Sequence, residues 1–273
     1  MTHQAGASVA IGTALPVALA LVHERDRAAL VRAADGVTRL VLCHTVDEAD
    51  ALIRREPPAV FVTRRRDADG ARVEPLVHAL RLNAPNLPVV LLALAEDSRR
   101  RNAGDLVAAG VTCVARATAR DVRAALRTVL ARERARALRA ALAAECAALA
   151  PDSARDMVRV AFENGDRPLA VLQLAASLGV PRKTLDRRLL RRSPLTPRRA
   201  LVWGRRAAIA IALEDHEATV AAVASSLQFT SPTALRNMLQ RYTGLTPTEL
   251  RAAGGLDAIS TRIQAILTTG PRH

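Results

Sequence analysis

The stretch "LAASLGVPRKTLDRRLLRRSPLTPRRALVWGRR", Leu174–Arg206, decides how the rest of the chain is interpreted. A short apolar segment leads into a glycine and a proline, and a run of basic residues follows. Between Arg182 and Arg206 there are ten Lys/Arg and a single acidic residue, Asp186, in a chain of 273 residues with a formal net charge of +14. Positive charge this concentrated indicates a polyanionic partner, most simply a nucleic acid; a solvated basic face is the alternative.

The pattern of this stretch occurs a second time further along the chain. The segment "VLQLAASLG" at Val171–Gly179 aligns with "VAAVASSLQ" at Val220–Gln228 at an offset of 49 residues. The tripeptide "LTP" at Leu195–Pro197 aligns with "LTP" at Leu245–Pro247 at an offset of 50, so one residue is inserted in the turn of the second copy. Each copy predicts a helix, a tight turn and a second helix, which is the helix-turn-helix motif.

The residues around the turns fit this motif. Gly179 suits the left-handed position that ends a helix, and Pro181 suits the first turn of the next helix, where its missing N–H costs nothing. Ser231-Pro232 repeats this start in the second copy. Arg199–Leu213 is long enough for one helix that joins the two copies, and Gly204 is expected to weaken that helix by about 1 kcal/mol.

Helical spacing separates a buried face from an outward face in the second helix of each copy. Leucines form the buried face, namely Leu185, Leu189, Leu235 and Leu239. The outward side chains are candidates for base recognition: Arg182, Lys183, Asp186, Arg187, Ser231, Thr233, Arg236 and Asn237. Lys183 and Arg187 could donate to guanine. Asp186 could accept from cytosine or pair with a neighbouring arginine, and both alternatives stay open.

Most other arginines of the basic half are expected to contact DNA phosphates, which position a protein without specifying a sequence. The candidates are Arg188, Arg191, Arg192, Arg198, Arg199 and Arg241.

Residues Val171–Arg251 resemble the DNA-binding domain of the AraC/XylS family. The matching segments are "LAASLGVPRKTLDRRL", "VAAVASSLQFTSPTALRNML" and "YTGLTPTELR", and the one-residue difference between the two turns is also a feature of that family. The resemblance implies a sequence-specific transcription regulator that places two recognition helices in successive major grooves of double-stranded DNA.

Six positions depart from the family pattern, and three of them are Leu189, Leu235 and Leu239, where aromatic residues are usual. Pro181 stands where a serine is usual, Gln228 where a glycine is usual, and Asn237 where an arginine is usual. Arg187, the counterpart of Asn237 in the first copy, is present. The resemblance therefore implies that the first copy reads bases more strongly than the second.

The front half of the chain has a different pattern, in which short apolar runs alternate with amphipathic segments. The apolar runs are Val17–Val22, Leu40–Cys43, Ala59–Val62, Val89–Ala93 and Thr112–Ala115. The amphipathic segments are Arg25–Ala34, Val46–Arg55, Val73–Leu82, Arg99–Ala109 and Arg120–Leu130. Continuous apolar strands between helices imply a five-stranded parallel sheet that is covered on both faces.

With "LPVVLLALAEDS" and "AAGVTCVARA", this half resembles the receiver domain of response regulators. A working receiver needs an acidic pair for a divalent cation, a phosphoacceptor aspartate, a Thr/Ser and a lysine. The corresponding positions hold His23, Glu24, Thr63, Ala93 and Arg116. Magnesium lacks its carboxylates there, and a threonine hydroxyl without a base is a poor nucleophile. The resemblance thus implies a regulatory domain that works without phosphorylation, with Asp67 and Asp69 as solvated loop residues.

The predicted organisation has five parts. These are a disordered N-terminus at 1–15, a receiver-like α/β domain at 16–132, a linker helix at 133–150, an all-α DNA-binding domain at 151–256 and a tail at 257–273, whose last dozen residues are expected to be disordered. A stripe of leucines runs along the linker and the helix before it: Leu126, Leu130, Leu138, Leu142 and Leu149. This stripe either pairs with a second copy of the chain or belongs to a single amphipathic helix.

The three cysteines, Cys43, Cys113 and Cys146, form neither a metal-type cluster nor a disulfide framework. A receiver-like strand order of 2-1-3-4-5 places Cys43 and Cys113 on opposite edges of the sheet, too far apart for a disulfide. Cys146 on the linker helix could join two copies.

The composition favours a cytoplasmic protein without a membrane span, a cofactor or a bound metal. An enzyme is not expected, because the sequence lacks a phosphate-binding loop, metal-spaced His/Cys pairs and a nucleophile elbow. The expected partners are double-stranded DNA, a second copy in a homodimer, and RNA polymerase as a further candidate. Two other functions stay open: an interaction module in which a partner of the front half controls the basic half, and a non-specific architectural DNA-binding protein.

Overall fold

The computed structural model describes residues 15–93, 110–189, 196–215 and 218–269, with only the backbone for 187–189 and 269. The chain divides into two compact units between Glu133 and Arg134. The helix predicted at Arg99–Ala109 lies outside the described part. The disordered segment predicted at 1–15 also lies outside it, except for residue 15. Within that part, no helix has both the length and the apolar character that are needed to cross a bilayer.

The first unit contains the five-stranded parallel sheet that the sequence predicts. The strands are β1 (Val17–Leu21), β2 (Arg39–Cys43), β3 (Val60–Thr63), β4 (Val89–Ala93) and β5 (Cys113–Arg116). Their order is β2-β1-β3-β4-β5 and every pairing is parallel. This is the expected receiver-like order, and it places Cys43 and Cys113 on the two edge strands.

The sheet carries a hydrophobic core on each face. Successive side chains of β1 alternate between the two cores, with Leu19 and Leu21 in one and Ala18 and Ala20 in the other. The central strands are apolar at every position but Thr63, because both of their faces are buried. Three helices of this unit are α1 (Glu24–Ala34), α2 (Val46–Arg55) and α3 (Glu74–Asn83).

Helix α4 (Ala119–Leu149) is continuous through the division between the units. Val122 and Leu126 are buried in a core of the first unit, whereas Leu142 and Cys146 are buried in the core of the second. Leu149 remains 42% exposed. Part of the leucine stripe therefore packs within the same chain. Dimerisation through the remaining leucines stays a prediction. An intersubunit disulfide through Cys146 is not compatible with this fold, because its thiol lies inside the core.

The second unit is all-helical, as predicted. Its further helices are α5 (Asp152–Glu163), α6 (Val171–Ser177), α7 (Arg182–Leu189), α8 (Pro197–Leu213), α9 (Val220–Ser226), α10 (Pro232–Thr243), α11 (Pro247–Ala252) and α12 (Leu256–Thr269). Helix α8 is the predicted connection between the two copies. Its middle and end are buried on nearly all sides, as expected for a helix around which the others pack.

The prediction of a tail at 257–273 is wrong for most of that segment. Helix α12 buries Ile259, Ile263 and Leu267 in the core of the second unit, against α8. These three residues recur at a spacing of four, which is one face of a helix.

Gly204 has a packing role that the sequence interpretation missed. A Cβ atom at Gly204 would lie 2.2 Å from the carbonyl oxygen of Ala161, and a Cβ atom at Gly165 would lie 2.2 Å from the carbonyl oxygen of Gly204. The end of α5 therefore crosses α8 at backbone contact, and the glycines are what allow this approach. The low helix propensity of Gly204 is the cost of that crossing.

Candidate nucleic-acid interface

The two helix-turn-helix copies have the same turn geometry. Gly179 has a φ of +64° and Gln228 a φ of +56°, so both occupy the left-handed region. The N–H of Val180 donates to the carbonyl of Ala175 at 3.1 Å, and the N–H of Phe229 donates to that of Ala224 at 2.8 Å. This is the hydrogen bond of a Schellman motif in each copy. Gln228 adopts at some cost the backbone that the family usually gives to glycine.

The lengths of the turns confirm the predicted insertion. Helices α6 and α7 are separated by the four residues 178–181, and helices α9 and α10 by the five residues 227–231. Thr219 and Ser231 cap the helices of the second copy, because their hydroxyls accept from the N–H groups of Ala222 and Ala234 at 3.1 Å. The Ser231 hydroxyl thus has a structural role beside the predicted base contact.

Helix α7 presents a charged face and buries its leucine. Leu185 is 4% exposed, whereas the side chains of Arg182 and Lys183 are exposed. The Nε atom of Arg182 lies 3.8 Å from a carboxylate oxygen of Asp186, so the ion pair considered for Asp186 forms in the free protein. The side chains of Arg187 and Arg188 lie outside the described part of the structure.

Helix α10 has the same division of faces with fewer charges. Leu235 and Leu239 are fully buried, and Thr233, Arg236 and Asn237 are exposed. The structure therefore brings the outward candidates of this copy to one helix face, as the spacing predicts.

Three of the phosphate candidates are exposed on the same unit. Arg198 and Arg199 occupy the first turn of α8, where Thr196 caps the helix by accepting from the N–H of Arg199 at 3.3 Å. Arg241, near the end of α10, is exposed beside the ring of Tyr242. Arg191 and Arg192 lie outside the described residues.

Arg205 and Arg206, the last two basic residues of the opening stretch, do not face solvent. The guanidinium of Arg205 lies over the ring of Phe229 at 4.3 Å and donates to the carbonyls of Gly165 and Leu227. Since Leu227 ends helix α9, this arginine fixes the turn of the second copy to the crossing of α5 and α8. Burial lowers its pKa.

Other arginines of this unit also bind carbonyl groups at helix ends. Arg251 donates to the carbonyls of Leu213, Asp215 and Ala218, and Arg262 donates to that of Thr243 at 3.0 Å. Helix C-termini leave carbonyls without intrahelical partners, and arginine suits them in charge and in geometry. Arg205 and Arg206 lie within an otherwise apolar helical segment, and this feature of the sequence indicates burial. A count of basic residues does not distinguish such arginines from exposed ones.

The first unit contains a buried ion pair close in sequence to two of the predicted receiver positions, Glu24 and Thr63. The guanidinium of Arg64, the residue after β3, donates to both carboxylate oxygens of Asp26, with 2.6 Å between Nη2 and Oδ1. Both side chains are more than nine-tenths buried. The guanidinium therefore neutralises the Asp26 carboxylate inside the first unit. The sequence interpretation had not singled out either residue.

The five positions predicted to correspond to receiver residues have separate surroundings. Thr63 is fully buried and its hydroxyl donates to the carbonyl of Arg64 at 2.9 Å. Glu24 pairs with Arg27 at 3.3 Å, and Arg116 pairs with Asp121 at 2.8 Å. His23 and Ala93 are partly exposed. No group of three or more His, Cys, Asp or Glu that could hold a metal ion occurs among the described residues.

The expectation that Asp67 is a solvated loop residue is wrong. Asp67 is 2% exposed, and its carboxylate accepts from the backbone N–H groups of Val46, Asp69 and Ala71 at 2.8–3.0 Å. A short loop with unpaired N–H groups can satisfy them through one carboxylate. Asp69 is exposed, as expected.

The comparisons with known proteins agree with the description of the second unit. The model of the "Helix-turn-helix domain" family matches residues 174–253. A search of curated proteins found no match.

Among solved structures, full-length FixJ from B. japonicum is similar over 86% of this chain and 100% of its own, at 12% identity and a TM-score of 0.42. NtrX from Brucella abortus is similar over 44% of this chain at 14% identity and a TM-score of 0.40, and the match spans 27% of the NtrX chain. From the family match and the turn geometry, residues 174–253 are an AraC-type helix-turn-helix domain, which is a DNA-binding domain.

Proposed function

We propose that the chain is a sequence-specific transcription regulator that inserts α7 and α10 into successive major grooves of duplex DNA. The observation that carries this proposal is the pair of matching helix-turn-helix copies. The second helix of each copy buries leucine, namely Leu185 in one and Leu235 and Leu239 in the other, and exposes polar side chains on its outward face. A helix fits the major groove when its outward face offers donors and acceptors to base edges.

The first copy is expected to contribute more to base recognition than the second. Helix α7 exposes Arg182 and Lys183, which can donate to guanine, and Arg187 is a third candidate on the same helix. Helix α10 exposes Thr233, Arg236 and Asn237, of which only Arg236 is charged. Arg198, Arg199 and Arg241 are the exposed candidates for phosphate contacts.

The first unit is proposed to regulate DNA binding without phosphorylation. The buried ion pair of Asp26 and Arg64 supports this, because it neutralises the carboxylate that would otherwise attract a cation. The buried hydroxyl of Thr63 also supports it, because a phosphodonor cannot reach that oxygen while the unit is folded. A homodimer and a contact with RNA polymerase belong to the same proposal.

Salt-dependent competition binding tests the function. Sites are first selected by genome-wide footprinting, and the affinity of the full chain for a selected site and for random duplex is then measured from 50 to 300 mM salt. We expect a steep log–log slope, with about −0.9 for each phosphate contacted, and tighter binding to the selected site at every salt concentration. A slope near zero would remove the nucleic-acid interpretation. Equal affinity for both duplexes would favour the non-specific architectural protein.

A further inference from the structure

The second unit has a basic pocket that joins two of the proposed phosphate contacts, Arg198 and Arg199, to the buried Arg206. Its volume is about 310 Å³, and its lining consists of Arg198, Arg199, Val202, Trp203, Arg206 and Tyr242. Three of these six side chains are arginines and none is acidic. The pocket lies where the start of α8 meets the end of α10.

Arg206 is held in an unusual way at this pocket. Its Cζ atom lies 4.1 Å from the ring centroid of Trp203 and 4.2 Å from that of Tyr242. The guanidinium is thus in contact with two aromatic rings, and its N–H donors point outward along the edge of its plane. Arg206 is 4% exposed, and its Nε atom is buried without a hydrogen-bond partner. A buried donor without a partner carries a free-energy cost that a bound acceptor would remove.

Two further arginines add positive charge to the surroundings of Arg206. Burial lowers its pKa to about 10, while Tyr242 raises the pKa and the charges of Arg199 and Arg262 lower it. Within the described part of the chain, no ion pair involves Arg198, Arg199 or Arg206. The first turn of α8 contains no acidic residue, so the positive end of its dipole also lacks a neutralising side chain.

We propose that this pocket binds a phosphate group, which accepts hydrogen bonds from the edge of the stacked Arg206 and from Arg198 and Arg199. The inference rests on the proposed function for the source of the phosphate, which is the DNA backbone. A free phosphorylated small molecule offers the same chemistry, and the experiment separates the two sources. The stacking of Arg206 would then orient one donor edge permanently toward the phosphate, at no entropic cost on binding.

The only tryptophan of the chain, Trp203, forms part of the pocket wall and serves as a reporter. The full chain is titrated with inorganic phosphate against sodium chloride at equal ionic strength, and tryptophan fluorescence and Tm are followed. We expect a phosphate-specific change in both signals for the wild type and a loss of both changes in Arg206→Met. Arg159→Met is the matched control, since Arg159 is exposed on α5, pairs with Asp156 and lies outside the lining.

The second arm measures duplex affinity against salt for the same proteins. If the DNA backbone supplies the phosphate, Arg206→Met reduces the log–log slope by about 0.9, whereas Arg159→Met keeps it. Saturating duplex should then also suppress the response to inorganic phosphate. The pocket binds a free phosphorylated molecule if Arg206→Met keeps the wild-type slope and the wild type responds to inorganic phosphate even with saturating duplex. Arg199→Gln, at an exposed position, replaces the Arg206 variant if that variant does not fold.

Equal slopes for the wild type, Arg206→Met and Arg199→Gln, together with no phosphate-specific response of the wild type, would overturn the proposal. A wild-type chain that does not bind duplex at all would defeat the proposed function. In that case the titration with inorganic phosphate would still test whether the pocket binds phosphate. Failure of the proposed function can therefore be distinguished from failure of the pocket proposal.

Discussion

At the scale of single residues, arginine has two opposite roles in the second unit. Arg182, Arg198 and Arg199 are exposed and available to a nucleic acid, whereas Arg205 and Arg206 are buried in contact with aromatic rings. The planar guanidinium can stack on a ring and donate along its edge, so it suits a protein interior better than an ammonium group does. Since Arg205 already donates to two carbonyl groups of the protein, the number of phosphates contacted should be smaller than the number of basic residues in the stretch.

Exchanging single exposed side chains should separate base contacts from phosphate contacts. Lys183→Ala removes a donor on the outward face of α7, and we expect a loss of about 1–3 kcal/mol on the selected site with little change on random duplex. Arg241→Ala should weaken both duplexes alike, because a phosphate contact carries no sequence information. Equilibrium binding to the two duplexes measures this. Equal losses for Lys183→Ala on both would show that α7 does not face the bases.

The three thiols should differ sharply in reactivity. Burial, together with Glu48 for Cys43 and Glu145 for Cys146, raises the pKa of each of these two thiols to about 12. Because the thiolate is the nucleophile, both should stay unreactive at pH 8 in the folded chain, whereas the partly exposed Cys113 reacts first. Mass spectrometry after timed alkylation checks this, with urea-unfolded protein as the control. Early modification of Cys146 would contradict the buried position of α4 in the second core.

At the scale of elements, the crossing of α5 and α8 fixes the second unit. The carbonyl groups of Ala161 and Gly204 each lie where a neighbouring glycine leaves room. Arg205, one residue after Gly204, extends the same contact to the carbonyl of Gly165 and to the turn of the second copy. The crossing therefore sets where α9 and α10 begin, and a change there should affect the recognition surface.

Gly204→Ala distinguishes helix propensity from packing. Propensity alone predicts a stabilisation of about 1 kcal/mol, since alanine is the better helix former. The clash with the carbonyl of Ala161 predicts the opposite sign, a loss of about 1–3 kcal/mol or more in the free energy of unfolding, and we expect this result. Urea unfolding monitored by circular dichroism measures the change. Gly36→Ala is a control at an open position, where only the strain of a positive φ should appear. A stabilised Gly204→Ala would contradict the close crossing.

The elements themselves were largely predictable from sequence, for a physical reason. The strands Val60–Thr63 and Val89–Ala93 are buried on both faces, so their apolar runs predicted strands. The internal repeat predicted the positions of both turns. The packing of α12 was not predicted, although its isoleucines have helical spacing. A short amphipathic segment at the end of a chain gives no sign of which surface it covers.

At the scale of the whole molecule, an α/β unit with a buried ion pair precedes a helical unit that contains the helix-turn-helix domain. The ion pair between Asp26 and Arg64 joins residues 38 positions apart, so no local pattern in the sequence could reveal it. The sequence showed which carboxylates were missing, but not what replaced them. The missing carboxylates and the buried ion pair together support the proposal that the first unit responds to a signal other than phosphorylation.

The last prediction is that phosphodonors leave DNA binding unchanged. Acetyl phosphate with magnesium activates a receiver through an exposed aspartate beside a bound cation. Here the Thr63 hydroxyl is buried and donates to the carbonyl of Arg64, and the Asp26 carboxylate is held by the guanidinium of the same arginine. A cation would have to displace that guanidinium from a buried site, and breaking such a pair costs about 3–5 kcal/mol. We therefore expect equal affinity for a selected duplex with and without both reagents, measured by fluorescence anisotropy, and no phosphorylated residue by mass spectrometry. Phosphorylated Thr63 that appears together with a changed affinity would show that this site opens and that the unit is a working receiver.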